Sequence, residues 1–161
     1  MSESAAMVPA HCLQEVDPAV AIALQQLCAA YWRCADEAPD GIGELFTADG
    51  VLSLGSLSLR GRAAIEHFFR ERDASMRADG RTTRHAACNF LVKGLDGAEA
   101  TIQSTVLVYS GAGALPLPAT LPAGIADFSD VCVRDAAGRW RFASRHGRTV
   151  FTGPGAPSFA R

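Results

Sequence analysis

Apolar residues recur every three to four positions from Val20 to Cys34, with Leu24, Leu27 and Tyr31 between them. That spacing predicts an amphipathic helix of about five turns. Asp17 suits its cap and Pro18 its first turn, while Pro39 forces an exit near Asp36 to Pro39. "GIGELF" reads as a short second helix, and "TADGVLSLGSLSL" as a turn with a broken hairpin. "GRAAIEHFFRERDASM" predicts a third helix with Ala64, Ile65, Phe68, Phe69 and Met76 inward. Arg62, Glu66, Arg70, Glu71 and Arg72 are expected in solvent. "TTRHAACNFLV" then alternates as a strand, which places Thr83, His85, Ala87, Asn89 and Leu91 on one face. "LDGAEATIQSTVLVYS" supplies a turn and an antiparallel partner. Residues 111–124, "GAGALPLPATLPAG", cannot form a central strand. Their leucines predict a connection that borders a pocket mouth or a subunit contact. "IADFSDVCVRDAAGRWRFASRHGRTVF" closes the chain as a hairpin.

Helices gathered before a run of antiparallel strands indicate an α+β fold with helices on one sheet face. A chain of 161 residues suits one domain, here 1–161, with a packed core over 17–152 and flexible ends.

Composition narrows the functional classes. A formal net charge of -2 gives no basic field for nucleic acid. No apolar run approaches the ~20 residues that span a membrane. The five cysteines, Cys12, Cys28, Cys34, Cys88 and Cys132, form no CxxC pair and suit a reducing compartment. The start "MSESAAMVPAHC" lacks the pattern of a secretory signal, so a cytoplasmic location is expected. Among His11, His67, His85 and His146 there is no HExxH or close cluster, and no metal is expected. A phosphate loop, a dinucleotide fingerprint and a GxSxG elbow are also missing, so no cofactor is expected.

His85 is the leading candidate for chemistry, because imidazole titrates near neutral pH. Asn89 shares its predicted face. Asp36 sits at a helix C-terminus, where a carboxylate gains nothing from the dipole, on the side of the helix that carries Trp32. Tyr31 continues the buried stripe. Arg145 follows Trp140 and Phe142, and regular alternation puts it beside the solvated Arg141. Only a bulge would turn it inward. Ser129 is a further candidate in the strand after the proline-rich segment.

The stretches "IALQQLCAAYWRCAD", "LFTADGVLSL", "GRAAIEHFF", "TRHAACNFLV" and "GRWRFASRHGRTVF" together resemble the SnoaL-like branch of the NTF2-like superfamily, over roughly residues 17–151. The resemblance implies a cone: a curved, mostly antiparallel sheet wrapped around the N-terminal helices, with an apolar pocket inside. It also implies a homodimer, for which Val106, Val108, Val131 and Val133 offer an apolar outer surface. The site pattern is similar to scytalone dehydratase and hexachlorocyclohexane dehydrochlorinase. Asp36 and His85 match the catalytic pair of the latter, and Asn89 and Arg145 match its other positions. Tyr31 stands where that enzyme has a lysine, which favours dehydratase or isomerase chemistry over dehydrohalogenation.

These readings imply a cofactor-independent lyase or isomerase acting on a small apolar carbonyl or hydroxyl compound. His85, Asp36 and Tyr31 would be catalytic. Asn89, Arg145, Trp32 and Ser129 would bind or orient substrate. Such a fold also hosts polyketide-cyclase-like enzymes, non-catalytic small-molecule binders and oxygenase small subunits, and the last two are the alternatives.

Overall fold

A computed structural model describes residues 15–160; His11 and Cys12 lie outside the described residues. Helix α1 spans Pro18–Glu37, capped by the Asp17 side chain, whose oxygen accepts from the Ala19 N–H at 2.8 Å. Its buried stripe is Leu24, Leu27, Cys28, Tyr31, Trp32 and Ala35, a helical repeat shifted slightly from the expected one. A 3-10 turn, Ile42–Leu45, leads into β1 (Phe46–Leu54), which hairpins to β2 (Leu57–Arg60). Helix α2 spans Arg62–Ala78. Four long strands follow: β3 (Arg81–Asp96), β4 (Glu99–Ala112), β5 (Gly124–Arg134) and β6 (Trp140–Thr152). A second 3-10 turn, Ser158–Ala160, ends the described chain.

The sheet order is β2-β1-β6-β5-β4-β3, with β1 parallel to β6 and every other pair antiparallel. This corrects the expected cone. The α+β class stands, but the sheet is an open, mixed, six-stranded layer that neither closes nor curls strongly around the helices. Closure would need edge strands to pair, and β2 and β3 lie at opposite ends of the order. Helix α1 packs on β3 and β6, and α2 on β1, β2 and β3. The core between them includes Leu24, Tyr31, Ile42, Phe46, Ile65, Ile102, Val106, Phe128, Cys132 and Phe142.

Two of the sheet's irregularities break the period-two alternation at candidate site residues. In β3, Cys88 pairs with Thr105 but Leu91 with Gln103, so two residues oppose one. Asn89 takes φ +53° there, a left-handed conformation that asparagine tolerates better than most residues. The phase flips, Phe90 turns to the core and Asn89 turns out. In β6, Phe142 pairs with Cys132 and Ser144 with Val131, so Ala143 is the extra residue. That bulge carries Arg145 inward until it is fully buried.

The proline-rich connection meets its expectation in part, since Ala123 and Gly124 at its end line the cavity described below. Leu115 and Leu121 are 69% and 86% exposed, and Leu117 rests on Gly111 and Gly113 of its own loop. Packing instead continues past Thr152. The Phe159 carbonyl accepts from the Ser56 N–H at 3.0 Å, and the Phe159 ring meets Phe68 edge-on. Gly55, at φ +57°, lets this tail approach: a Cβ there would lie 2.0 Å from the Phe159 carbonyl oxygen. Of the four valines expected on an outer surface, Val106 belongs to the buried core and Val108 packs against it and lines the cavity described below.

Candidate functional site

A cavity of about 630 Å³ lies between the helices and the covered face of the sheet. Because the sheet does not wrap around it, other elements complete its wall. Leu52 and Leu54 come from β1, Phe68, Phe69 and Met76 from α2, Ile125, Ala126 and Phe128 from β5, and Pro157 and Phe159 from the tail. The lining is mostly apolar, with polar groups gathered where α1, α2 and β3 meet: Tyr31, Arg72, Thr83 and His85. Such a combination is usual for small-molecule sites.

Asp36 and His85 meet at that polar end. The His85 ring Nδ1 lies 2.6 Å from Asp36 Oδ1, and the His85 backbone N–H donates to Asp36 Oδ2 at 2.8 Å. Thr83, two residues earlier on the same face, donates its hydroxyl to Oδ1 at 2.9 Å. The carboxylate is therefore held by three donors from one strand. Trp32 stacks on the imidazole with centroids 4.4 Å apart and planes 17° from parallel, which fixes the ring plane. An ionised Asp36 can only accept, so Nδ1 carries the proton in the neutral ring. Nε2 makes no hydrogen bond to the described residues, and its lone pair is available to a molecule in the cavity. The arrangement can accept a proton and stabilise the resulting imidazolium.

Burial acts to raise the Asp36 pKa. The hydrogen bond and charge of His85, its backbone N–H and the Thr83 hydroxyl more than offset burial, and the carboxyl ends below its ordinary value. A depressed carboxyl pKa contributes stability that is present above the unfolded value of about 3.9 and disappears as pH falls through the folded value. The expected result is that Asp36→Asn melts below wild type at neutral pH, with the gap closing on acidification below pH ~4. Calorimetric scans across the acid range check this; a gap constant with pH would contradict it.

Tyr31 is buried, and edge-on rings of Trp32, Phe46, Phe69 and Phe142 surround it. Its hydroxyl makes no hydrogen bond to the described residues. Burial dominates its ionisation and pushes it far above the ordinary phenol range, so it stays a neutral donor. Beneath it, the Arg145 guanidinium lies 4.1 to 4.9 Å from the ring centroids of Tyr31, Phe142, Trp32 and Phe128. Its counter-charge is Asp130, at 3.4 Å and equally buried. Burial is the largest influence on Asp130 and pushes its carboxyl up to about 6, although Arg145 opposes this. On Arg145, burial acts downward, but Asp130 and its neighbours outweigh it and hold the guanidinium protonated.

The fold thus brings together His85, Asp36, Tyr31 and Trp32, all but Asp36 on the cavity surface itself. It does not bring Asn89, Ser129 or Arg145 there. Asn89 and Ser129 line a second depression on the other sheet face, with Gln103, Asp127, His146 and Arg148. Arg145 supports the Tyr31 and Trp32 rings without lining the cavity. Arg72 and Thr83 were missed, as was Asp130. Arg72 continues the Ile65–Phe69–Met76 stripe of α2, a helical spacing that places it inward, and Thr83 already shared a predicted face with His85. Asp130 alternates with Phe128 and Cys132 on an otherwise apolar face. Among the described residues, no group of three or more His, Cys, Asp or Glu side chains is placed to hold a metal ion.

Solved structures of the same fold include a provisionally named scytalone dehydratase from Novosphingobium aromaticivorans. It is 22% identical with a TM-score of 0.72, over 89% of this chain and 92% of that one. ActVI-ORFA from Streptomyces coelicolor is 20% identical with a TM-score of 0.73, over 86% of this chain and the whole of that one. A protein from Catenulispora acidiphila, solved in complex with S-DNPA, is 23% identical with a TM-score of 0.67, over 83% of this chain and 95% of that one. At these identities the likeness concerns the fold. No curated protein matches the sequence significantly. The SnoaL-like domain model, by contrast, matches residues 21–146, and the chain belongs to that family within the NTF2-like superfamily.

Proposed function

We propose that this protein is a cofactor-independent lyase or isomerase acting on a small, largely apolar compound that carries a carbonyl with a hydroxyl or other leaving group nearby. One observation carries the reading: a carboxylate-bound imidazole, Asp36 Oδ1 to His85 Nδ1 at 2.6 Å, forms part of the wall of a cavity of about 630 Å³. Kinship with a family of small-molecule enzymes and binders supports it, as does a neighbour of the same fold solved with a bound small molecule.

In this chemistry His85 Nε2 removes the proton on the carbon beside the carbonyl. Asp36 holds Nδ1–H and balances the new positive charge. The Tyr31 hydroxyl, kept neutral by burial, hydrogen-bonds the oxygen on which negative charge gathers. For a β-hydroxy compound the imidazolium then returns its proton to the departing hydroxyl, and the products are an enone and water. For an isomerase the same proton returns to a different carbon. The apolar wall from Leu52 to Phe159 excludes water and takes the hydrocarbon body of the substrate.

A panel of β-hydroxy ketones and unsaturated ketones incubated with the protein in D2O tests this. Enone formation or deuterium incorporation at the carbon beside the carbonyl is expected for at least one compound that binds. Tight binding of panel members with neither outcome would favour the non-catalytic binder.

A further inference from the structure

The cavity's polar end contains a chain of four side chains that extends behind the Asp36–His85 pair. Arg72, on α2, donates from one guanidinium nitrogen to the Ala35 carbonyl at 2.6 Å and from another to Thr83 Oγ1 at 3.2 Å. Thr83 Oγ1 in turn lies 2.9 Å from Asp36 Oδ1 and 3.9 Å from the Met76 sulfur. A guanidinium has donors only. Whatever bonds to it must accept, so the Thr83 oxygen is committed as an acceptor toward α2. Its single proton is left to go elsewhere, and of its two neighbours a carboxylate is far the stronger acceptor than a thioether. The hydroxyl therefore donates to Asp36.

The same counting continues to the ring. Asp36 Oδ2 receives the His85 backbone N–H, which cannot do anything but donate. Oδ1 receives the Thr83 hydroxyl, forced to donate by Arg72. Both oxygens thus face fixed donors, an arrangement that favours the ionised carboxylate and leaves Oδ1 one further lone pair aimed at His85 Nδ1. We infer that Thr83, committed by Arg72, is a positioning residue that helps hold Asp36 ionised and aimed at His85, and so keeps the ring in its Nδ1–H tautomer. The Arg72 bond to Ala35, the residue before Asp36, adds a backbone restraint from the same guanidinium.

The inference deepens the proposed function, because only that tautomer presents a lone pair to substrate, and it rests on His85 acting as the base. Its test needs no substrate. Histidine labelled with nitrogen-15 reports which ring nitrogen is protonated, and in wild type at neutral pH the Nδ1–H form is expected. Thr83→Val, which keeps the shape and removes the hydroxyl, is expected to move the ring signals toward the Nε2–H form that an unconstrained histidine side chain prefers. Thr83→Ser is expected to restore them. Arg72→Met is expected to shift them in the Val direction. Once a substrate is found, the Val variant should lose on the order of 10-fold in kcat with KM little changed, the low end of the cost of losing a group that orients a metal-bound histidine.

Val signals identical to wild type would overturn the role of Thr83. Equal displacement in Val and Ser would also overturn it, because packing rather than the hydroxyl would then be responsible. Wild-type signals with Arg72→Met would overturn the role of Arg72. An Nε2–H tautomer in the wild type itself would be a different failure, of the base assignment in the proposed function.

Discussion

His85→Ala is expected to lower kcat for any compound the protein turns over by about 10²- to 10⁴-fold, the usual contribution of a positioned general base. The ligand should still bind, because most of the cavity's lining surface is apolar and the substitution leaves those side chains in place. The fold should also survive. His85 stands near the end of α1, outside the fully buried cluster, and its backbone N–H to Asp36 remains. Kinetics paired with calorimetric titration check the separation of rate from affinity. Equal losses in kcat/KM and in affinity, with kcat unchanged, would mean that His85 only contacts ligand.

The largest expected effect on stability is elsewhere. Arg145→Met leaves the Asp130 carboxylate in the core with no counter-charge, and breaking a buried pair in this way costs roughly 3–5 kcal/mol. It also removes the cation from the faces of Tyr31, Trp32, Phe128 and Phe142. The damage has a pH signature. Asp130 has a folded pKa of about 6, above its unfolded value, so the folded state binds that proton more tightly and the group's contribution favours folding as pH falls. Loss of the Arg145 charge, which opposes the upward shift, strengthens this tendency. The variant should therefore recover part of its stability between neutral pH and about pH 5. The double variant Arg145→Met with Asp130→Leu should regain most of the loss at neutral pH, since a buried pair replaced by apolar groups of similar volume is often near neutral. Urea unfolding of the three proteins decides it. A single-variant loss within about 1 kcal/mol, the range of an exposed pair, would contradict this assignment.

The elements were legible because they rest on short-range rules. Asp17 and Pro18 mark the start of α1, Pro39 its end, and Gly55 the turn between β1 and β2. The Asp36–His85 pairing was also within reach, since the resemblance placed both residues and the end of α1 faces β3. Bulges were not legible in the same way. Alternation from Thr83 puts Asn89 beside His85, but one extra residue near Asn89 reverses it. For Arg145 alternation gave the opposite error, and Ala143 supplies the reversal. A bulge is a register event between two strands, so one strand's sequence carries little of it. The left-handed Asn89 is its nearest local trace.

The cone was overestimated for a related reason. The strand order and mixed pairing depend on which edges meet, whereas periodicity reports only which face each residue takes. Without a wrapped sheet, part of the cavity wall comes from Gly155 to Ala160, small residues and a single phenylalanine in a tail with no pattern of its own. Leu115 and Leu121 carried a stronger apolar signal, yet in this chain they face solvent, and it is Ala123 and Gly124 at the end of the proline-rich segment that reach the cavity. Arg72 illustrates the remaining gap. Its stripe pointed inward, but charge alone suggested solvent, and only the carbonyl of Ala35 and the hydroxyl of Thr83 make its burial affordable.

The central claim is that His85, held by Asp36, removes a proton from carbon in the cavity. The most direct measurement is deuterium incorporation from D2O into a bound carbonyl compound, followed by mass spectrometry for wild type and His85→Ala side by side. The predicted result is exchange at the carbon beside the carbonyl in wild type and none above background in the variant, at concentrations where both are saturated. Equal exchange in the two proteins would contradict the account.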